Sequence, residues 1–235
     1  MEHPLERTEL LVGREGIKKL SQAHIAVFGI GGVGGYVTES LVRSGVGKID
    51  LIDKDIVSLS NINRQVVASH KTIGRFKVEV MKERCEDLNP DVKVNIFNCF
   101  FLPETADQFD FSQYDFVIDA VDTVTAKLEL IERSQKVGTP IISCMGAGNK
   151  LNSTKFQVAD LYDTTVCPLA KVMRRECRKR GIKSLPVVYS TEEPKYKGDT
   201  PGSTAFAPAV AGLLLAEEVF RQIVSDGRLF EENHV

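Results

Sequence analysis

HIAVFGIGGVGG, residues 24–35, decides the fold of this chain. His24 to Phe28 is short, apolar and β-branched, and it breaks into Gly29, Gly31 and Gly34 in a G-x-G-x-x-G spacing, with Gly32 between them. An amphipathic stretch to Ser44 follows, so the order is strand, tight turn and helix start. Glycines in such a turn permit positive φ and let backbone N–H groups approach a phosphate, while the helix N-terminus adds a partial positive charge. A second strand, Lys48 to Ile52, ends at Asp53, where a carboxylate accepts hydrogen bonds from ribose hydroxyls. The pattern fits nucleotides in general, and a Gly-rich turn can also serve only to pack strand on helix.

The next residues narrow the nucleotide. An ordinary dinucleotide domain would soon show another helix and strand, whereas here Asp55, Ser58, Ser60, Asn61, Asn63, Arg64 and Gln65 crowd one polar segment. That segment has many groups for phosphate and too little apolar surface for a core. It points to ATP, with an arginine aimed at the phosphates. Asp53, Asp55, Val57, Ser60, Asn61, Arg64 and Gln65 together resemble the DxDxVxxSNxxRQ signature of the adenylating enzymes related to ubiquitin-activating enzyme.

The resemblance implies further roles. Lys77, on a predicted helix, stands at that superfamily's phosphate-binding lysine, and Asp122, read as the end of the strand FVIDAVD, stands at its magnesium-associated carboxylate. Arg7 stands where the superfamily has an arginine that crosses a dimer interface to the partner's site. Taken singly, Lys77 and Arg7 read equally as solvated charges and Asp122 as a helix cap. By resemblance, ATP is held by Gly29, Gly31, Gly32, Gly34, Asp53, Asp55, Asn61, Arg64, Gln65 and Lys77. The catalytic set is Arg64, Lys77, Asp122 and Arg7, with Mg2+ at Asp122.

The C-terminal half carries the substrate. Gly146, Ala147, Gly148, Lys150, the QVAD run Gln157 to Asp160, Pro168 to Ala170 and the run Val187 to Glu192 resemble the tRNA threonylcarbamoyladenosine dehydratases. This implies a substrate adenosine beside the anticodon, a homodimer, and a sulfur-transfer or redox protein as a further candidate partner. One departure is Cys167, where the family commonly has an acid before the Pro-Leu pair.

The expected fold class is α/β: a Rossmann-like, doubly wound, mostly parallel sheet with helices on both faces, extended by antiparallel late strands. The whole chain, 1–235, is expected to form one adenylation domain. It divides into a helical arm (1–23), a nucleotide-binding core (24–145) and a part for substrate, tRNA and dimer contacts (146–235). Expected strands are 24–29, 48–53, 92–97, 115–120, 139–144, 155–159 and 185–190. Helices are expected near 33–44, 74–88, 124–137 and 208–223, with a basic helix between the late strands and a mobile loop at 192–204.

With 235 residues, 43% apolar, 26% charged and a formal net charge of −2, the chain can bury one large core. The longest apolar run, Phe206 to Ala216, is too short to cross a bilayer, so a cytoplasmic enzyme without a secretory signal is expected. Cys85, Cys99, Cys144, Cys167 and Cys177 show no CxxC pair, so reduced thiols and no structural zinc are expected. Cys144 reads as a buried structural thiol rather than a nucleophile, and His70 as a surface residue.

Lys171, Arg174, Arg175 and Arg178 recur at i, i+3, i+4 and i+7, which places four cations on one helical face. The face is either solvated or a contact for tRNA phosphates. Tyr162, Tyr189 and Tyr196 are candidates for stacking on a flipped base. Two rival functions remain at this point: adenylation of a ubiquitin-like sulfur-carrier protein, and an NAD-binding oxidoreductase.

Overall fold

The computed structural model describes residues 3–193 and 200–225. Seven strands form one sheet: β1 (His24–Phe28), β2 (Lys48–Ile52), β3 (Lys93–Phe97), β4 (Phe116–Asp119), β5 (Ile141–Cys144), β6 (Phe156–Asp160) and β7 (Pro186–Ser190), in the order β3-β2-β1-β4-β5-β7-β6. Every pairing is parallel except β6 with β7. The late strands thus extend the mostly parallel sheet with one antiparallel pair: β7 lies parallel to β5, and β6 runs against β7.

Helices cover both faces because the central strands are apolar on both sides. In β1, Ile25 and Val27 face one core with α1 (Glu6–Gln22), α2 (Gly34–Arg43), α3 (Lys77–Leu88) and α6 (Phe206–Ser225). Ala26 and Phe28 face the other, shared with α4 (Val124–Val137), α5 (Pro168–Lys179) and the turns carrying Phe109, Phe111 and Tyr114. Phe28 sits at the centre of that second core, with ring centroids of Phe101, Phe109 and Phe111 at 4.8, 5.5 and 5.9 Å.

From β1 the chain runs outward through β2 to β3 on one side and then crosses back to β4 on the other side of β1, so a crevice opens beyond the carboxyl ends of β1 and β4. A buried polar cluster closes the opposite end. Asp50 accepts hydrogen bonds from His24 Nε2 (2.9 Å), Asn95 Nδ2 (2.8 Å) and Tyr114 Oη (3.1 Å). Burial pushes the Asp50 carboxyl up, but these bonds outweigh it and hold it below the usual range. Burial, and then the Asp50 charge, push the Tyr114 phenol up.

Several boundaries moved. The helix expected from 74 begins at Lys77, and β4 ends at Asp119, so Asp122 lies in the following loop rather than on the strand. Glu192, assigned to the start of a mobile loop, is buried at 8% exposure. Tyr196, with the rest of 194–199 in that loop, lies outside the described residues.

Candidate functional site

The crevice is a cleft of about 670 Å³, lined by the Gly-rich turn, the polar segment after β2, the loop after β4 and Ala147–Gly148 after β5. Its floor is the turn at Gly29, whose φ of +91° is a left-handed value that glycine adopts freely. A Cβ there would lie 2.7 Å from the Ala120 carbonyl oxygen. Gly31 and Gly32 line the cleft, and the N-terminus of α2 lies just beyond them. Gly34 does not line it: a Cβ at Gly34 would come within 1.8 Å of the Gly29 carbonyl oxygen, so its role is packing rather than ligand contact.

Asp53 follows β2 and accepts the Ile30 N–H at 2.6 Å and the Asp55 N–H at 2.8 Å, which ties the Gly-rich turn to the polar segment. Burial pushes its pKa up, and the nearby Lys77 offsets only part of this. Lys77 is the first residue of α3, and its N–H donates to the Asp55 carbonyl at 3.0 Å. Its ammonium donates to the Asp55 carboxylate at 2.8 Å, with the lysine side chain 7% exposed and that of Asp55 51% exposed. The solvated-charge reading of Lys77 is thereby set aside.

Asn61 is buried on the cleft wall, where its Oδ1 accepts the Ser58 N–H at 3.0 Å and completes a capping box. Arg64 reaches the cleft while its Nη1 donates to the Ser60 carbonyl and to Asn63 Oδ1, both at 2.8 Å. Gln65 is 7% exposed, and its Oε1 has no hydrogen-bond partner among the described residues. A buried acceptor of this kind carries a penalty that a ligand donor would remove. Asp122 is exposed at the rim and, among the described residues, accepts only the Thr123 hydroxyl, at 3.2 Å. The helix cap is Thr123, not Asp122.

This donor set fits a nucleoside triphosphate: cleft volume, a helix N-terminus, an arginine, a buried lysine and the carboxylate of Asp53 coincide. One carboxylate at the rim suits Mg2+, which keeps its waters and is held mainly by phosphate oxygens. Among the described residues no three His, Cys, Asp or Glu side chains form a metal cage.

The structure adds residues that the sequence reading missed. Directly beneath the Asp122 loop, Lys127 donates to both Asp119 oxygens (3.1 and 3.0 Å) and to the Cys144 carbonyl (2.7 Å), and Ser143 donates to Asp119. Both charged side chains are 0% exposed. Asp119 also accepts the Val121 N–H at 3.2 Å, so one buried pair shapes the loops after β4 and β5 together. The available signal was a lysine on the apolar face of α4, beside Ala126, Leu130 and Ile131, and an acid ending the apolar run FVID.

The C-terminal motifs are mostly clamps. Lys150 is buried and donates to the Glu192 carbonyl, while the Glu192 carboxylate accepts the N–H groups of Leu151 (3.1 Å) and Asn152 (2.9 Å). Asp160 accepts Tyr162 N–H (2.8 Å) and Leu185 N–H (3.0 Å). Cys144 is buried, and desolvation pushes its thiol up to about 12, which agrees with a structural thiol. Cys167 caps α5, its Sγ accepting the Ala170 N–H at 3.5 Å.

The basic helix forms as expected, but its cations differ in surroundings. Arg174 turns inward and donates to the Thr164 carbonyl at 2.9 Å. Arg175, Lys179 and Arg180 converge on Glu176 (2.9, 3.0 and 3.1 Å), and hydrogen bonds from all three hold Glu176 down at about 2. Arg178 lies 5.1 Å from the Tyr162 ring, and Lys171 is exposed. Tyr189 is 2% exposed with its hydroxyl bonded to Gln157, so it is no stacking platform, and Tyr162 donates its hydroxyl to the Ile182 carbonyl. Arg7 is exposed on the first turn of α1 and does not line this cleft.

Comparison with known proteins places this geometry. The chain is 41% identical over 245 aligned positions to the tRNA threonylcarbamoyladenosine dehydratase of Bacillus subtilis (strain 168), with 96% of each chain covered. Its fold matches the Escherichia coli tRNA N6-threonylcarbamoyladenosine dehydratase in complex with ATP at a TM-score of 0.89 and 33% identity, covering 94% of this chain and 93% of that one. The AMP complex of that enzyme matches at 0.88 and 34% identity, with 92% of each chain covered. A model of the ThiF family spans residues 5–234, and the chain belongs to the ThiF family.

Proposed function

We propose that the protein is an ATP-dependent tRNA threonylcarbamoyladenosine dehydratase. One observation carries the reading: Arg64, Lys77, Asp53 and Asp122 converge on a single cleft whose other wall, Ala147 and Gly148, belongs to the dehydratase-like half. An NAD enzyme would leave that arginine and lysine without a role.

The substrate carboxylate attacks the α-phosphorus of ATP, and the bond to pyrophosphate breaks. A carboxylate is a poor electrophile until its oxygen becomes a good leaving group, which adenylation provides. Two anions must therefore meet, and the developing charge must be spread over fixed donors. Arg64 and Lys77 take the phosphates, with Lys77 exchanging the Asp55 carboxylate for phosphate oxygens. Asp53 takes the ribose, while Asn61 and Gln65 orient the loop, Gln65 offering an amide whose oxygen still lacks a donor. Asp122 would hold Mg2+, which supplies charge neutralisation at the phosphates.

An atom of the carbamoyl group then attacks the activated carbonyl of the same molecule, closing the ring and releasing AMP. The nucleophile belongs to the RNA, so no protein thiol takes part, in keeping with the buried Cys144. The tRNA phosphates meet the exposed cations of α5, led by Lys171 and Arg178, whereas Arg174 and Arg175 serve the protein's own contacts. A homodimer brings Arg7 to the partner's cleft. A cytoplasmic site of action follows from the tRNA substrate.

The test is mass spectrometry of nucleosides from threonylcarbamoyl-tRNA incubated with the protein, magnesium and ATP, beside Arg64→Ala. Loss of one water from the modified adenosine, only with ATP and intact Arg64, is the expected result. An unchanged nucleoside with ATP-dependent adenylation of a carrier protein would instead select the sulfur-carrier adenylyltransferase reading.

A further inference from the structure

Residues Thr200 to Ser203 cross the mouth of the cleft and line it. The segment is fastened to both walls. On the nucleotide side, Asn63, next to Arg64, donates its amide to the Ser203 carbonyl at 3.1 Å. On the opposite side Asn149 grips Gly202 twice: the Asn149 N–H donates to the Gly202 carbonyl at 2.8 Å, and the Gly202 N–H donates to Asn149 Oδ1 at 2.6 Å. Pro201 packs on Gly148, where an added Cβ would come within 2.9 Å of the proline Cβ. Asn149 reaches this position with a φ of +58°, a left-handed value that asparagine tolerates better than most residues.

We propose that Asn149 is a positioning residue: through Gly202 it holds the Thr200–Ser203 strap as the wall against which the substrate nucleoside of the RNA is aligned with the α-phosphate. The inference rests on the dehydratase reading. The proposed phosphate contacts do not use the strap, since Arg64 and Lys77 sit on other elements. The strap closes the gap between the Arg64 loop and the Gly146–Gly148 loop, which is where the second reactant must enter. Its fastenings are hydrogen bonds at exposed positions, so it can be released to admit a large substrate and refastened behind the nucleoside.

The test separates the nucleotide from the RNA. Asn149→Gly keeps the left-handed backbone and removes the Oδ1 acceptor, and Asn149→Asp keeps both. In Asn149→Gly the KM for threonylcarbamoyl-tRNA rises about fivefold to tenfold, the scale of one lost hydrogen bond, with the dissociation constant for ATP unchanged. Exchange of the Gly202 amide hydrogen accelerates in the same variant. Asn149→Asp restores both values. Unchanged KM in Asn149→Gly, an equal loss of ATP affinity, or failure of Asn149→Asp to rescue would each overturn the proposal alone. Absence of turnover by the unaltered chain would overturn the dehydratase reading and this inference with it.

Discussion

The two walls of the cleft are built on opposite plans. On the nucleotide wall, Gly29 to Lys77, the signature residues Arg64, Gln65 and Lys77 all line the cavity. On the other wall, Cys144 to Glu192, the equally recognisable motif residues face the protein, with Lys150, Glu192 and Asp160 each holding a backbone loop. A motif thus marks either a group that touches substrate or a brace that shapes what does, and only geometry separates the two. The buried Lys127–Asp119 pair ties the loop after β4 to the second wall, because it binds the end of β4 and the end of β5 at once.

The comparison breaks most sharply at that pair. Lys127→Met leaves Asp119 charged in the core with only the Ser143 hydroxyl and the Val121 N–H as partners, and the loss is expected to be about 3–5 kcal/mol in urea unfolding. A loss under about 1 kcal/mol would mean that water reaches Asp119 and that β4 and β5 are not coupled there. Lys77→Met tests the ligand-facing wall. It removes the charge proposed to meet phosphate, so kcat/KM is expected to fall about 100-fold while the unfolding midpoint stays close to the wild-type value.

A third measurement sets the cleft apart from the far end of the sheet. Asp50→Asn is expected to cost about 2 kcal/mol of stability at neutral pH, with ATP affinity unaffected. The Asp50 carboxyl is held below its usual value in the folded chain, so its contribution is full above the unfolded pKa of about 3.9 and disappears as pH falls through the lower folded value. The stability gap between wild type and Asp50→Asn therefore narrows in acid, and a gap independent of pH would reject the assignment. The smallest effect concerns α5. Lys171→Ala lowers the salt dependence of tRNA binding by about one unit of log-log slope, whereas Arg175→Ala, whose charge is engaged by Glu176, changes it less.

Much of this was legible in the amino-acid sequence because periodicity and turn chemistry act locally. The five parallel strands at the start, the Gly-rich turn and the polar segment that holds Arg64 all follow from short-range patterns, and each formed within a few residues of its expected place. What was not legible was long-range. Whether β7 runs with or against β5 depends on the path of the chain through β6 and α5, which no local window contains. The buried Lys127–Asp119 pair depends on α4 docking over β4, and the inward turn of Arg174 depends on the loop at Thr164. Gly34 is the local exception: the fingerprint groups it with the glycines at a phosphate, and the backbone shows it at the close approach of α2 to the turn, the place the third glycine holds in that spacing.

The N-terminal arm carries a feature with its own consequence. Gly13 interrupts α1 with φ 70° and ψ 174°, a combination open essentially to glycine alone. Beyond it, Gly16, Ile17 and Leu20 are anchored in the body of the fold; before it, Arg7 stands exposed with Leu10 and Leu11 at 81% and 87% exposure. The heading at which Arg7 leaves the body is thus set from both sides, by the stereochemistry of Gly13 and by Leu5, which lies against Gly45 just after α2, and a methyl group at Gly13 would strain that span without touching a residue that lines the cleft.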